Sequence, residues 1–277
     1  MVAANDQSDL DNYFYQEGTI SGLAANDSQS SEPHSKINEF WVCKSHALAR
    51  ATTSKLLRNE IRVLTLAISR VNPTAGLEQR ARNYFDGTFA EERVVHVIAE
   101  QFISAFNVTR SSSLRAFKGA AKSLKKLEVL ISNPQNEDIK IKAIENAYYD
   151  SSLGCIEIKF TSEYYSQLIN LVDRTRPNIK YRVGDVVNFD SYRTFKLHEY
   201  LLSKQQTGVY ENTRTVPLYE LRQLLNIPDK HSYNTIKNKV IDVTVRELVD
   251  AGWHITWKPK RHGKKYTGVE FKYKVKK

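Results

Sequence analysis

Sulfur is scarce in this chain: 277 residues hold two cysteines, Cys43 and Cys155, and one methionine. Two thiols cannot build a disulfide framework or a zinc ribbon, so a reducing, intracellular setting, the cytoplasm, is expected. The seven histidines (His34, His46, His96, His198, His231, His254, His262) include no His-x-His. The metal-holding pair that a tyrosine nucleophile needs for strand transfer is therefore missing, although tyrosines are plentiful. A phosphate-cradling loop requires Gly five residues before Gly-Lys, and ahead of Gly263-Lys264 that position is Lys258. Gly-x-Ser-x-Gly and CxxC are also absent. No catalytic residue, metal ligand or cofactor is expected. No apolar run approaches the ~18 residues of a membrane span, and the opening MVAANDQSDLDNYF has neither the basic start nor the apolar stretch of a secretory signal. A membrane partner is not expected.

What the chain has in excess is positive charge, unevenly placed. Lys and Arg number 41 against 31 Asp and Glu, a net of +10. Residues 1–36 carry six acids and one base, so residues 37–277 carry +15. A basic body behind an acidic leader points to a polyanionic partner, with double-stranded nucleic acid first. The leader, rich in Asp, Asn, Ser and Gln, reads as a disordered tail over 1–36, with Tyr13, Phe14 and Tyr15 as its one aromatic knot.

In KLLRNEIRVLTLAISRV, Leu57, Ile61, Leu64, Ile68 and Val71 recur at helical spacing, and Asn72-Pro73 closes the segment. Such a stripe serves either as a core face or as a dimer seam, and Leu57, Ile61, Leu64 and Ile68 are the candidates for the seam. In RVVHVIAEQFISAFNV, Val95 to Ile98 reads as a strand running into a short helix. TRSSSLRAFKGAAKSLKKL follows as a second helix, with its cap expected among Ser111 to Ser113. Leu114, Phe117, Ala121, Leu124 and Leu127 form its inner stripe. Arg115, Lys118 and Lys122 run parallel to it, and residues 110–126 contain six Lys/Arg and no acid. Helix, turn and basic helix make a helix-turn-helix, with Arg110, Ser112, Arg115, Lys118 and Lys122 as DNA-contact candidates. LEVLIS and GCIEIKF alternate as half-buried strands and read as the hairpin behind it, with a loop between them.

After a candidate hinge at Arg174 to Val187, with Pro177 and Gly184, the same order repeats. A helix is expected over SYRTFKLHEYLLSKQQTG, capped by Ser191 and ended near Gly208. A second covers TVPLYELRQLLNIP, and a third starts near Ser232, with Ile236, Val240, Val243 and Leu248 inward. The strands WHITWKPK and YTGVEFKYKV follow, joined through Gly263. Residues 230–277 hold thirteen Lys/Arg and four acids. Ser232, Tyr233, Asn234, Lys237 and Asn238 are placed to read base edges. Lys258, Lys260, Arg261, Lys264 and Lys265 suit phosphate contacts from a hairpin wing. The fold class that follows is α+β, with tandem winged-helix domains over 37–174 and 175–277 behind the tail.

The segment LYELRQLLNIPDKHSYNTIKNKVIDVTVRELVDAGWHITWKPKRHGKKYTGVEFKY resembles the second domain of the theta-type, iteron-binding plasmid replication initiators. It shares with that family the Leu-Arg-x-Leu-Leu helix, the aromatic ahead of the recognition helix, and the Lys-x-x-Val-hydrophobe-Asp core. The Gly-Lys-Lys turn and the final Phe-x-Tyr strand also match, while Val243-Thr244 stands where the family often has Pro-Ala. KSHALARATTSKLLRNEIRVLTLAI and SLRAFKGAAKSLKKLEVLI are similar to parts of the family's first domain, so the resemblance covers about residues 40–277.

This resemblance implies a non-enzymatic initiator whose monomers bind direct repeats at a plasmid origin and whose dimers, formed through the first domain, repress its own gene. It also implies contacts with the host initiator and the replicative helicase. A winged-helix transcriptional repressor without a replication role would need the same groove-reading helices, and composition does not separate the two.

Overall fold

The computed structural model describes residues 34–73, 93–132, 138–171, 177–206, 209 and 211–274. The tail expected over 1–36 lies outside these residues up to position 33, while His34–Glu39 forms a 3-10 turn. The loop after Pro73 and the expected stop at Gly208 also lie outside them.

The chain then runs through β1 (Trp41–Ser45), α1 (His46–Arg50), β2 (Thr52–Thr53), α2 (Arg58–Ile68), β3 (Val94–Ile98), α3 (Ala99–Phe106) and α4 (Arg110–Ser123). It continues with β4 (Glu128–Ser132), β5 (Asp138–Lys142), β6 (Ile144–Asp150), β7 (Cys155–Phe160), α5 (Ser162–Tyr165), β8 (Asn178–Arg182) and α6 (Tyr192–Ser203). Last come β9 (Asn212–Pro217), α7 (Leu218–Leu224), α8 (Tyr233–Ile236), a π turn at Lys237–Ile241, α9 (Asp242–Asp250), β10 (His254–His262) and β11 (Lys265–Lys274).

One topology occurs twice. Helix α2, strand β3, helices α3 and α4, then β6 and β7 form a unit whose sheet has the order β3-β7-β6. Helix α6, strand β9, helices α7 and α8–α9, then β10 and β11 form a second, with the order β9-β11-β10. In each the short first strand pairs with the last, and the hairpin behind the third helix supplies the wing. Both are winged helices, as expected.

The expected hairpin of the first unit pairs differently. LEVLIS (β4) does not pair with GCIEIKF (β7); it pairs with β5 and β2, in the sheet β2-β4-β5, while β7 pairs with β6 and β3. The segment read as a loop thus contains both missing partner strands. One helix boundary also moves: Thr215 to Pro217 belong to β9, with Pro217 at the N-cap of α7.

Helix α2 is held at its start by Glu60, whose carboxylate accepts from the Leu57 N–H at 2.7 Å. Its stripe resolves to the core: Ile61, Leu64 and Ile68 are 4%, 3% and 1% exposed, and only Leu57, at 64%, faces solvent. The expected dimer seam is therefore corrected at three of its four positions, because α2 packs against α4, β3 and β1 in this conformation. Val243, expected to point inward, is 36% exposed, whereas Ile241 and Thr244 are buried. The π turn inserts one residue into the helix and delays the inward stripe by one position.

The expected hinge is also packed where it is described. Strand β8 pairs antiparallel with β1 from Trp41↔Arg182 to Ser45↔Asn178. Val183, Val186 and Phe189 are fully buried. The Arg62 guanidinium, buried on α2 and lying over the Phe106 ring, donates to the Val187 and Phe189 carbonyls at 3.0 and 3.3 Å. Burial lowers the pKa of Arg62 to about 10, with Arg58 adding to the fall and Asp190 opposing it.

Helix α6 joins the two units through a buried polar cluster. Glu199 accepts from Lys44 Nζ at 2.5 Å and from the Tyr181 hydroxyl at 2.7 Å, while Lys196 donates to the Ala49 carbonyl at 3.1 Å. Burial pushes the Glu199 carboxyl up, but Lys44 and Lys196 outweigh it and hold the group below its ordinary range. His198 lies among the rings of Tyr181, Phe189 and Trp253 at 4.9–5.4 Å. Burial holds its pKa down at about 4.

Candidate DNA interface

In the first unit, Asn107 takes a left-handed turn (φ 47°) after α3, and Thr109 starts α4 by accepting from the Ser112 N–H at 3.3 Å. The cap therefore precedes the Ser111–Ser113 run in which it was expected. Ser113 is buried instead, and its hydroxyl donates to the Arg110 carbonyl. Phe102 meets Phe117 edge-on at 5.5 Å, which fixes α3 against α4. The opposite face of α4 carries Arg115, Lys118 and Lys122, all exposed. Lys118 lies 5.7 Å from the Tyr149 ring centroid, and Arg110 pairs with Glu100 at 3.2 Å. Ser112 is half-buried beside the cap. This helix presents a continuous basic face.

Its wing is of the other sign. The turn at 151–154 is built by Asp150, whose carboxylate accepts from the N–H groups of Ser152 and Leu153, with Gly154 at φ 61°. Strands β6 and β7 carry Glu145, Asp150 and Glu157 against Lys159. Like charge repels phosphate, so these strands offer no basic surface of the kind α4 presents.

The second unit has both parts. Ser232, near which the third helix was expected to start, caps α8, its Oγ accepting from the Thr235 N–H at 3.3 Å and contacting Thr235 Oγ1 at 3.0 Å. Asn234 and Asn238 stand exposed beyond the cap, the Asn238 Oδ1 accepting from Lys237 Nζ at 3.3 Å; an exposed amide is the group that can make a two-pronged contact with an adenine edge. Lys237 bridges to Asp242 on the same helix at 2.9 Å and lies near the Trp257 ring. The wing turns at Gly263 (φ 59°), with Lys264 and Lys265 exposed at its tip.

Two contacts were not legible from spacing. Tyr233 stacks on Tyr266 with ring centroids 3.6 Å apart and planes 6° from parallel. Arg261 covers the other side of this pair, 4.2 Å from the Tyr266 centroid, with its guanidinium on the Tyr266 hydroxyl. The wing is thereby locked to the start of the recognition helix, and Tyr233 and Arg261 serve that lock. The second contact is Glu270, which bonds Lys258 at 2.7 Å and Lys260 at 2.5 Å. These two hydrogen bonds, from Lys258 first and Lys260 second, hold its carboxyl down at about 2. Of the five expected wing bases, only Lys264 and Lys265 are without a side-chain partner among the described residues.

No group of His, Cys, Asp or Glu among the described residues is placed to hold a metal ion, and no helix there is long and apolar enough to cross a membrane.

The chain is similar in fold to the Pi initiator protein, solved in complex with iteron DNA: TM-score 0.68, 16% identity, 86% of this chain and 98% of that one covered. Two other solved structures match more loosely. The WH1 domain of MSBI1.176, a replication protein, has TM-score 0.27 and 20% identity, covering 42% of this chain and 83% of its own. Domains 2-3 of RctB have TM-score 0.37 and 13% identity over 81% and 86%. Neither bears on the fold at those scores. No curated protein matches. The family described as Initiator Replication protein, WH1, matches residues 41–202, and Initiator Rep protein, WH2, matches residues 217–273. With its two winged helices in that order, the chain belongs to the initiator Rep protein family.

Proposed function

We propose that this protein starts theta replication of a plasmid by binding direct repeats at the origin as a monomer, one recognition helix in each of two successive major grooves. The observation that carries this is the pairing of a basic α4 with the Asn-bearing α8 and its basic wing tip, in a chain of the initiator Rep family. Likeness to the Pi protein, solved on iteron DNA, supports the same reading. The first domain grips through its helix alone, and the second through helix and wing. We place the division between them near Ser191, at the foot of α6, because β8 pairs with β1.

The same reading includes a cytoplasmic protein that recruits the host initiator and replicative helicase, and a dimer that represses its own gene and limits copy number. The dimer's seam lies elsewhere than Ile61, Leu64 and Ile68, which the core occupies.

The test is transformation with the gene and its flanking DNA on a fragment lacking any other origin. Autonomous maintenance, lost when the flanking repeats are deleted, is expected. A fragment that never replicates, from a gene whose product binds only a promoter palindrome, would make the protein a repressor.

A further inference from the structure

We propose that Glu270 is a specificity-determining residue of DNA binding: it holds Lys258 and Lys260 away from phosphates and so keeps the affinity for arbitrary sequence low. The inference rests on the DNA-binding reading above.

The sheet geometry makes Glu270 a clamp for two lysines at once. Lys258 is its direct cross-strand partner on β10, and Lys260, two residues on, lies on the same face. The residue opposite Lys260 is Gly268, which offers no side chain. A Cβ at Gly268 would come within 2.6 Å of the Val216 carbonyl oxygen, so the close approach of β9 fixes glycine there. Lys260 therefore reaches diagonally to the acid that Lys258 already holds. The Glu270 side chain is only 14% exposed and anchored on the sheet, whereas Lys258 and Lys260 are 67% and 41% exposed and bend toward it. Lys272, next along the same face, is held in the same way by Glu211 at 2.7 Å.

Free cations on a wing bind every phosphate alike, and each contact adds about 0.9 to the slope of log K against log salt. Such contacts raise the affinity for all DNA and dilute the discrimination supplied by Asn234 and Asn238. Holding two of them on one carboxylate takes one charge off the wing and leaves Lys264 and Lys265 at the tip to hold the backbone.

The test uses the full chain with two probes, a mixed-sequence duplex and the duplex that the wild type selects from a randomised pool. Glu270→Gln keeps the shape and removes the charge. It is expected to bind the mixed duplex about tenfold tighter at low salt, with a slope steeper by roughly one to two units, and to discriminate less between the probes. Lys258→Ala/Lys260→Ala in the wild-type background is expected to leave the slope unchanged, a result that does not depend on how the Glu270 variant folds. The triple variant should return to the wild-type slope. The proposal is overturned if Glu270→Gln leaves mixed-duplex affinity and slope unchanged, if the lysine pair alone flattens the slope, or if the triple variant keeps the gain. A wild type that selects no sequence and binds no duplex would overturn the DNA-binding reading itself, and this inference with it.

Discussion

Lys44 and Glu199, 155 residues apart in sequence, meet at 2.5 Å inside the protein, one from strand β1 and the other from helix α6. Both side chains are almost fully shielded from water. A buried pair contributes little over apolar residues of the same shape, but losing one partner strands the other charge.

Lys44→Met alone or Glu199→Leu alone is therefore expected to destabilise the fold by about 3–5 kcal/mol. The double variant Lys44→Met/Glu199→Leu should recover a large part of that loss. Urea denaturation of the three variants, read as a double-mutant cycle, measures the coupling. Additive losses would show that the pair does not act as a unit.

His198 gives a pH dependence. Its folded pKa is held near 4 by burial, below the ordinary 6.5, so the fold keeps it neutral while the unfolded chain protonates. Stability from this group is complete above pH 6.5 and is lost as pH falls toward 4, by about 3 kcal/mol in all. Glu199, whose folded pKa is also depressed, adds its own loss lower down. Melting temperatures between pH 7 and 4.5 should fall in the wild type and fall less in His198→Phe; equal slopes would remove the histidine from the account.

Asn234→Ala and Asn238→Ala should each cost about 1–3 kcal/mol of discrimination between the selected duplex and its single-base variants, with the salt slope intact. Arg115→Ala, Lys118→Ala and Lys122→Ala together should do the reverse, weakening binding to both probes and flattening the slope. Competition binding at several salt concentrations separates the two behaviours. A loss of discrimination from the α4 variant would shift base reading to the first domain.

Tyr266→Ala removes the plate between Tyr233 and Arg261. The stack is worth about 1 kcal/mol, so DNA affinity should fall about fivefold, and amide exchange in the 261–266 turn should quicken. Tyr266→Phe keeps the rings in contact and should retain most of the affinity. Equal behaviour of the two variants would mean that the hydroxyl, and not the stack, holds the wing.

Local signals were readable in the sequence where the physics is local. Ser191 was visible as a cap because a hydroxyl before a helix has a short list of uses, and Gly263 as a turn because few residues take positive φ. The order of helices and strands in the second domain followed from these. Partner choice between strands is not local. Asp138–Lys142 carries alternating Lys and Ile on an exposed edge, and nothing in its own residues says that it takes β4 away from β7. The inward phase of the recognition helix was misplaced at Val243 because a π turn leaves no mark in a hydrophobic pattern. The pairing of Lys258 and Lys260 with Glu270 was invisible for the same reason as the strand error: it depends on the register between β10 and β11.

That π turn also makes the recognition helix a two-part lever. Asn234 lies ahead of the joint, whereas Thr244 and Leu248 sit behind it, seated in the core. Loss of one residue from 237–241 would restore the ordinary helical pitch and swing the leading end by about 100°, with Ile236 having to find a new seat. The wing sheet and the buried rear of the helix would stay where they are. Insertion or deletion at this joint would thus re-aim the leading end, at the cost of the Tyr233–Tyr266 stack, without rebuilding the domain that carries it.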